Sequence, residues 1–247
     1  MEHVYLVFGA NSAIARGVIK ELIDTQSPEH QVTIYGFSRG TLPDDLSSYD
    51  SELHWITVAD YTQQSLSKAL TEVQLKHSNL KGAYIFNGIL HNEEFMPEKA
   101  LSQFEANHFE QVIHANTTVP VVIIQQLLAN VDKQQSFKIA VLSARIGSIG
   151  DNGLGGWHSY RASKAALNML LKNVAIECAR SYKGIKLISY HPGTTDSPLS
   201  KPFQSNVPSE QLFDQRQSAR YFLNVVKAQK FDNTLSYVDW QGAAIPW

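Results

Sequence analysis

Short apolar runs alternate with longer amphipathic stretches along the whole chain. The runs fall at 4–8, 32–37, 54–58, 83–86, 138–142, 185–190 and 234–238. Their composition and brevity predict buried β-strands. Between them, apolar residues recur at helical spacing over 12–24, 63–76, 109–130, 158–181 and 209–228. Strands alternating with helices imply βαβ units, and so an α/β fold: a doubly wound parallel sheet of about seven strands with helices on both faces. A length of 247 residues suits one such domain, and no repeat or low-complexity tract divides it.

Two stretches conflict with a simple reading. Val119-Pro120-Val121-Val122-Ile123-Ile124 has the local propensity of a strand. The apolar pattern around it continues from 109 to 128, too long for one strand, so a helix is predicted with a kink or break near Pro120. The segment 192–208 is rich in Pro, Ser, Thr and Asn and reads as a long loop, placed as a lid would be. The helix at 158–181 carries apolar residues well beyond one stripe, among them Leu167, Met169, Leu170, Leu171, Val174 and Ile176. One side would cover the sheet and the other would meet a second copy, as in a homodimer or homotetramer.

Composition narrows the function classes. The net charge of −2 gives no basic footprint for nucleic acid or a membrane surface. The single cysteine, Cys178, allows no intramolecular disulfide and no zinc cluster, and reads as a small buried hydrophobe; no metal site is expected. The N-terminal run breaks at Gly9 without a basic region before it, unlike a signal peptide, and no stretch approaches the roughly 20 apolar residues of a membrane span. The expectation is a cytoplasmic protein.

Polar residues cluster where strands end. The turn from the first strand into the first helix contains Gly9, Asn11, Ser12, Ala13 and Ile14. A dinucleotide pyrophosphate binds at such a turn, facing backbone N–H groups and a helix N-terminus. Only Gly9 fits the glycine pattern; Ala13 and Ala15 stand where glycines are usual. The second strand ends in Ser38-Arg39, and a basic residue there favours NADP(H) over NAD(H), with NAD(H) still possible. Asp60 after the third strand could accept from an adenine amino group, and Asn87-Gly88 after the fourth stands at the carboxyl edge where ligands bind. Each of these also suits an ordinary turn. Tyr160 and Lys164 lie four apart and share a helix face. A lysine ammonium would lower the phenol pKa from near 10 and make Tyr160 a general acid or base.

The chain resembles the short-chain dehydrogenase/reductase family. The likeness rests on the Gly9 turn, Asp60, Asn87-Gly88, Asn116, Ser143, Tyr160-Arg-Ala-Ser-Lys164 and Pro192-Gly193, in family order over nearly the full length. Gly147-Ser148-Ile149, Gly155-Gly156 and the ending from Asp239-Trp240-Gln241-Gly242 to Ile245-Pro246-Trp247 resemble the C-factor and sniffer-like carbonyl reductase branch. The resemblance implies a Rossmann-type seven-stranded sheet and hydride transfer between a nicotinamide and a small carbonyl or alcohol, with Tyr160 exchanging the proton. It implies that Lys164 also holds the nicotinamide ribose and that Asn116 organises a water-mediated relay to the lysine. Pro192-Gly193 would shape the nicotinamide loop, with Thr194 and Ser197 bonding the cofactor. One departure stands out: the family's catalytic serine falls on Ala144. Ser143 or Ser148 would have to supply the missing hydrogen bond to the carbonyl oxygen. A dinucleotide-binding sensor or signalling protein with little turnover is the competing class.

Overall fold

A computed structural model of the chain describes residues 2–247. Its strands are β1 (His3–Phe8), β2 (Val32–Ser38), β3 (Leu53–Thr57), β4 (Leu80–Ile85), β5 (Phe137–Leu142), β6 (Ile185–His191), β7 (Thr194–Thr195), β8 (Leu212–Phe213) and β9 (Leu235–Asp239). Its helices are α1 (Ala13–Asp24), α2 (Gln63–Glu72), α3 (Ala106–Ile113), α4 (Val119–Asn130), α5 (His158–Ser181) and α6 (Gln215–Ala228). The central sheet has seven strands in the order β3-β2-β1-β4-β5-β6-β9, each pair parallel. The winding direction reverses between β1 and β4. A crevice opens at such a switch point, outside the carboxyl ends of the strands.

Strand alternation divides the core into two layers. In β1, Leu6 and Phe8 pack toward α2, α4 and α5, while Val7 packs toward α1 and α6. In β5, Ile139 and Val141 take the first side and Ala140 the second. With both faces covered, most positions of the strands other than the edge strand β3 are buried, which is why these strands read as solid apolar runs. Each fully buried aliphatic side chain here contributes about 2 kcal/mol.

The stretch 109–130 is helical, as the length of its apolar pattern indicates, but it is not one regular helix. α3 passes into α4 through a wider π turn at His114–Thr118. Pro120 comes just after this π turn, where the regular hydrogen-bond ladder is already interrupted, so its missing N–H is accommodated. From Ala106 to Asn130 the helix is long and apolar enough to cross a membrane by length and composition alone. Its Val119, Ile123, Ile124 and Leu127 are instead buried in the core.

Other boundaries differ from the sequence pattern for local reasons. The helix expected over 63–76 stops at Glu72, and Gln74 takes a left-handed conformation at φ +51°. The helix expected from 209 begins at Gln215, where Asp214 and Gln217 form a capping box. The segment 192–208 is more than a loop: β7 pairs in parallel with β8, and a 3-10 turn spans Lys201–Asn206. Along α5, Leu167, Leu171, Ala175 and Cys178 are in the core, whereas Met169, Leu170 and Ile176 are exposed. Burial pushes the Cys178 thiol up to about 11, consistent with an inert hydrophobe.

Candidate active site

The turn after β1 is shaped by Gly9, whose φ is +68°. A Cβ at Gly9 would lie 2.9 Å from the Asn87 nitrogen, so the turn needs glycine for both conformation and space. Ala13 and Ala15 are already in α1, where alanine is preferred to glycine. Their departure from the usual glycine pattern therefore leaves the turn intact. Ser12 caps α1, its side chain accepting from the Ala15 N–H at 3.4 Å. The first-turn amides behind it have no intrahelical partner, as at any helix start. Asn11 is exposed beside them.

Tyr61, which the sequence pattern did not single out, braces this turn from below. Its hydroxyl accepts from the Gly9 N–H at 3.2 Å and donates to the Phe37 carbonyl at 3.0 Å. Asp60 beside it is exposed, and its Oδ1 accepts from the Thr62 N–H and hydroxyl at 3.1 and 2.7 Å. These bonds, with Ser65, hold its carboxyl below the usual range. Asp60 thus works as a turn at the start of α2, with one oxygen committed. Ser38 is buried and accepts from the Gly40 N–H at 3.1 Å. Arg39 is exposed at the end of β2 and has no ion pair among the described residues.

The carboxyl ends of β4, β5 and β6 surround a cavity of about 370 Å³. Ile14, Asn87, Gly88, Ser143, Ala144, Tyr160, Lys164, Pro192, Gly193 and Thr194 all reach it. Gly9, Ser38, Arg39 and Asp60 lie outside it, along the same sheet edge toward β3. The residues expected to take a dinucleotide therefore lie at the carboxyl ends of neighbouring strands, part of them in the cavity and part beyond it. The Gly9 turn with its helix start, and the buried Asn87 Oδ1 that takes no hydrogen bond, fit such a ligand.

Tyr160 and Lys164 meet on the cavity wall as their spacing on α5 requires. Lys164 Nζ is 5.7 Å from the centre of the Tyr160 ring and donates to the Leu142 carbonyl at 2.9 Å. Their acidities depart from the simple expectation of a phenol lowered by an ammonium. Burial raises Tyr160 above its ordinary value, with Tyr237 adding to the shift, and burial alone lowers Lys164 to about 7. Desolvation dominates at both residues, disfavouring the charged form of each. The Tyr160 phenol therefore keeps its proton more firmly, and the Lys164 ammonium gives its proton up more readily.

Asn116 sits in the π turn, fully buried. Its Oδ1 accepts from the Ile89 N–H at 2.7 Å, and its Nδ2 donates to the Ile89 carbonyl and the Ser163 hydroxyl at 2.8 and 3.0 Å. It ties the end of β4 to α5. A Cβ at Gly88 would lie 2.9 Å from Asn116 Oδ1 and 3.5 Å from Lys164 Nζ, so this approach also needs glycine. Both ends of its side-chain amide are engaged in these ties.

Ser143, one of the two serines considered for the missing donor, follows β5 and reaches the cavity, and its hydroxyl donates to Asn168 Oδ1 at 2.8 Å. Ser189 donates to the same oxygen at 2.6 Å. Ser148 is buried outside the cavity lining and accepts from the Asp151 N–H at 3.1 Å. Ala144 does face the cavity, and Tyr237 holds its carbonyl at 2.7 Å.

Further residues complete the walls. Trp157 lies edge-on to Phe203 at 4.9 Å, and His91 joins Phe203 at 5.7 Å and the Leu199 carbonyl at 3.0 Å. The segment 192–208 thus reaches across the cavity mouth. Ser197, expected to bond a cofactor, also lines the cavity and interacts with Ser200. His191, just before Pro192-Gly193, is lowered to about 4 by burial and stays neutral. Its position beside that dipeptide was the one signal that could have found it. Among the described residues, no cluster of metal-ligating side chains is present.

A family model described as short chain dehydrogenase matches residues 3–208. C-signal of Myxococcus xanthus is 24% identical over 148 residues, covering 60% of this chain and 84% of that protein. The carbonyl reductase Sniffer of D. melanogaster has a similar structure, with a TM-score of 0.82, 19% identity and full coverage of both chains. The NADPH-bound carbonyl reductase from chicken fatty liver also has a TM-score of 0.82, at 21% identity over 99% of this chain and 98% of that one.

Proposed function

Because this chain belongs to the short chain dehydrogenase family, we propose that it is an NADP(H)-dependent carbonyl reductase or alcohol dehydrogenase in which Tyr160 handles the proton. The observation that carries the reading is the meeting of Tyr160 and Lys164 on one wall of a cavity at the switch point of the sheet.

When bound, the nicotinamide dinucleotide supplies a hydride to the substrate carbon or takes one from it. The Gly9 turn, Asn11, Ser12 and the amides of Ala13 and Ile14 would hold the pyrophosphate. Ser38 and Arg39 would hold a 2′-phosphate, and the exposed carboxylate of Asp60 would meet the adenine. Asn87, Gly88, Pro192, Gly193 and Thr194 would flank the nicotinamide end, and Lys164 would hold its ribose. NADP(H) is favoured over NAD(H) because Arg39 is exposed with no ion pair among the described residues, and because the chicken carbonyl reductase binds NADPH.

In the reducing direction, the Tyr160 hydroxyl donates its proton to the carbonyl oxygen. Burial keeps that proton on Tyr160 until substrate arrives. Lys164, when charged, stabilises the phenolate left behind. Asn116 and Ser163 hold α5 against the β4 end while this occurs. Leu90, Ile146, Trp157 and Phe203 make the substrate end apolar, which suits a small carbonyl compound without charge. The exposed Met169, Leu170 and Ile176 on α5 support association into a homo-oligomer, to be read by light scattering.

The test is a titration with NADPH followed by a panel of ketones and aldehydes. The expected result is NADPH binding, turnover of part of the panel, and loss of turnover in Tyr160→Phe with cofactor affinity retained. A second reading, a dinucleotide-binding signalling protein with little turnover, is favoured by Ala144 alone. It gains if wild-type protein binds NADPH and reduces nothing.

A further inference from the structure

Glu98 belongs to the connection between β4 and α3, outside the cavity lining, and is only 5% exposed. A buried carboxylate is costly unless hydrogen-bonded, so its partners are informative. Both of its oxygens accept from the Ser159 N–H, at 3.2 and 3.3 Å, and one also accepts from the Ser159 hydroxyl. Its main-chain carbonyl accepts from the Trp157 N–H. These bonds join segments 61 residues apart.

They fall at the start of α5, which lacks a cap of its own. Trp157 precedes the helix in a left-handed conformation at φ +49° and offers no side-chain acceptor. The first N–H groups of a helix need acceptors, and a negative one is favoured by the helix dipole. Glu98 meets that need from another element. Ser159, the residue it grips, is next to Tyr160. The same connection places Phe95 beside Tyr160, around a void of about 10 Å³ that Glu98 and Ser159 also line.

We propose that Glu98 is a positioning residue: by capping α5 through Ser159, it sets the place of the Tyr160 hydroxyl relative to the cavity. The proposal rests on the reading of Tyr160 as proton donor. The residue acts through Ser159 and touches no reacting atom. A small displacement of a proton donor lowers turnover far more than binding.

The experiment compares Glu98→Ala, Glu98→Gln and Ser159→Ala with wild type in NADPH affinity, carbonyl turnover and hydrogen exchange of the α5 amides. Glu98→Ala is expected to lower kcat by ~10- to 100-fold, with NADPH Kd and substrate KM within about threefold. Glu98→Gln keeps an acceptor for the Ser159 N–H and should restore kcat to within about threefold. Exchange at 159–163 should speed up in Glu98→Ala and return in Glu98→Gln. Ser159→Ala, which leaves the N–H contact, should lower kcat less than Glu98→Ala and serves alone if Glu98→Ala does not fold. Unchanged kcat in the variants, a parallel loss of kcat and cofactor affinity, or no recovery in Glu98→Gln overturns the proposal. A wild type that turns over no carbonyl defeats the catalytic reading instead; unaltered exchange in Glu98→Ala then overturns the capping role itself.

Discussion

Lys164 Nζ stands 5.7 Å from the centre of the Tyr160 ring while bonded to the Leu142 carbonyl at the end of β5. The sheet thus fixes the ammonium, and the helix fixes the phenol. Replacing Lys164 by Met should remove the charge that stabilises the phenolate. Carbonyl turnover is expected to fall by ~100-fold or more, with weaker NADPH binding, and alcohol oxidation should require a higher pH. Steady-state kinetics across pH 6 to 10, together with a cofactor titration, check both effects; an unchanged profile would remove Lys164 from the mechanism.

Ala144 presents a methyl group to the cavity where a hydrogen-bond donor would serve. Ala144→Ser should therefore raise kcat for carbonyl reduction. One donor to a developing oxyanion is worth about two to three orders of magnitude at most, and a gain of ~10-fold or more is expected if the new hydroxyl is well aimed. Measured kcat at saturating NADPH decides it, and a slower variant would mean that the site is built around the methyl group.

Arg39, exposed at the end of β2, has no ion pair among the described residues. Arg39→Ala should weaken NADPH by ~10- to 100-fold through loss of a charge-assisted bond to the 2′-phosphate, and leave NADH nearly unchanged. Fluorescence titration with both cofactors is the measurement, and equal affinities in wild type would defeat the assignment.

His191 is held at about 4 chiefly by burial, with Asp239 pulling it up and Arg145 pushing it down. The unfolded side chain titrates near the ordinary histidine value of 6.5. Between these values the unfolded chain binds a proton that the folded chain refuses. Stability from this residue is therefore complete above pH 6.5, declines as pH falls, and reaches its full loss, ~3 kcal/mol, below pH 4. Denaturant unfolding of His191→Asn at pH 7 and pH 4 should show a smaller acid loss than wild type.

What the sequence made legible follows from the range of each interaction. The seven central strands and the buried faces of α1 and α5 appear as hydrophobic period, a local property. Tyr160 and Lys164 share a face because helical geometry alone brings residues four apart together. β7 and β8 were missed, since two residues each leave no period to detect. Tyr61 and Glu98 were missed because their partners lie 52 and 61 residues away. The bond from the Ser143 hydroxyl to Asn168 was not legible, because it depends on how α5 packs on the sheet. The acidities of Tyr160 and Lys164 likewise depend on burial, which charge spacing does not encode.

The π turn at His114–Thr118 gives the site an unusual kind of fragility. Each residue of an α-helix advances the direction of its neighbours by about 100°. Deleting one residue from the turn would restore a regular helix and spare the buried face of α4. Asn116 would swing away from Ile89 and Ser163 in the same event. At this point the architecture is more exposed to a one-codon deletion than to most substitutions, because what is held there is a count of residues rather than a side chain.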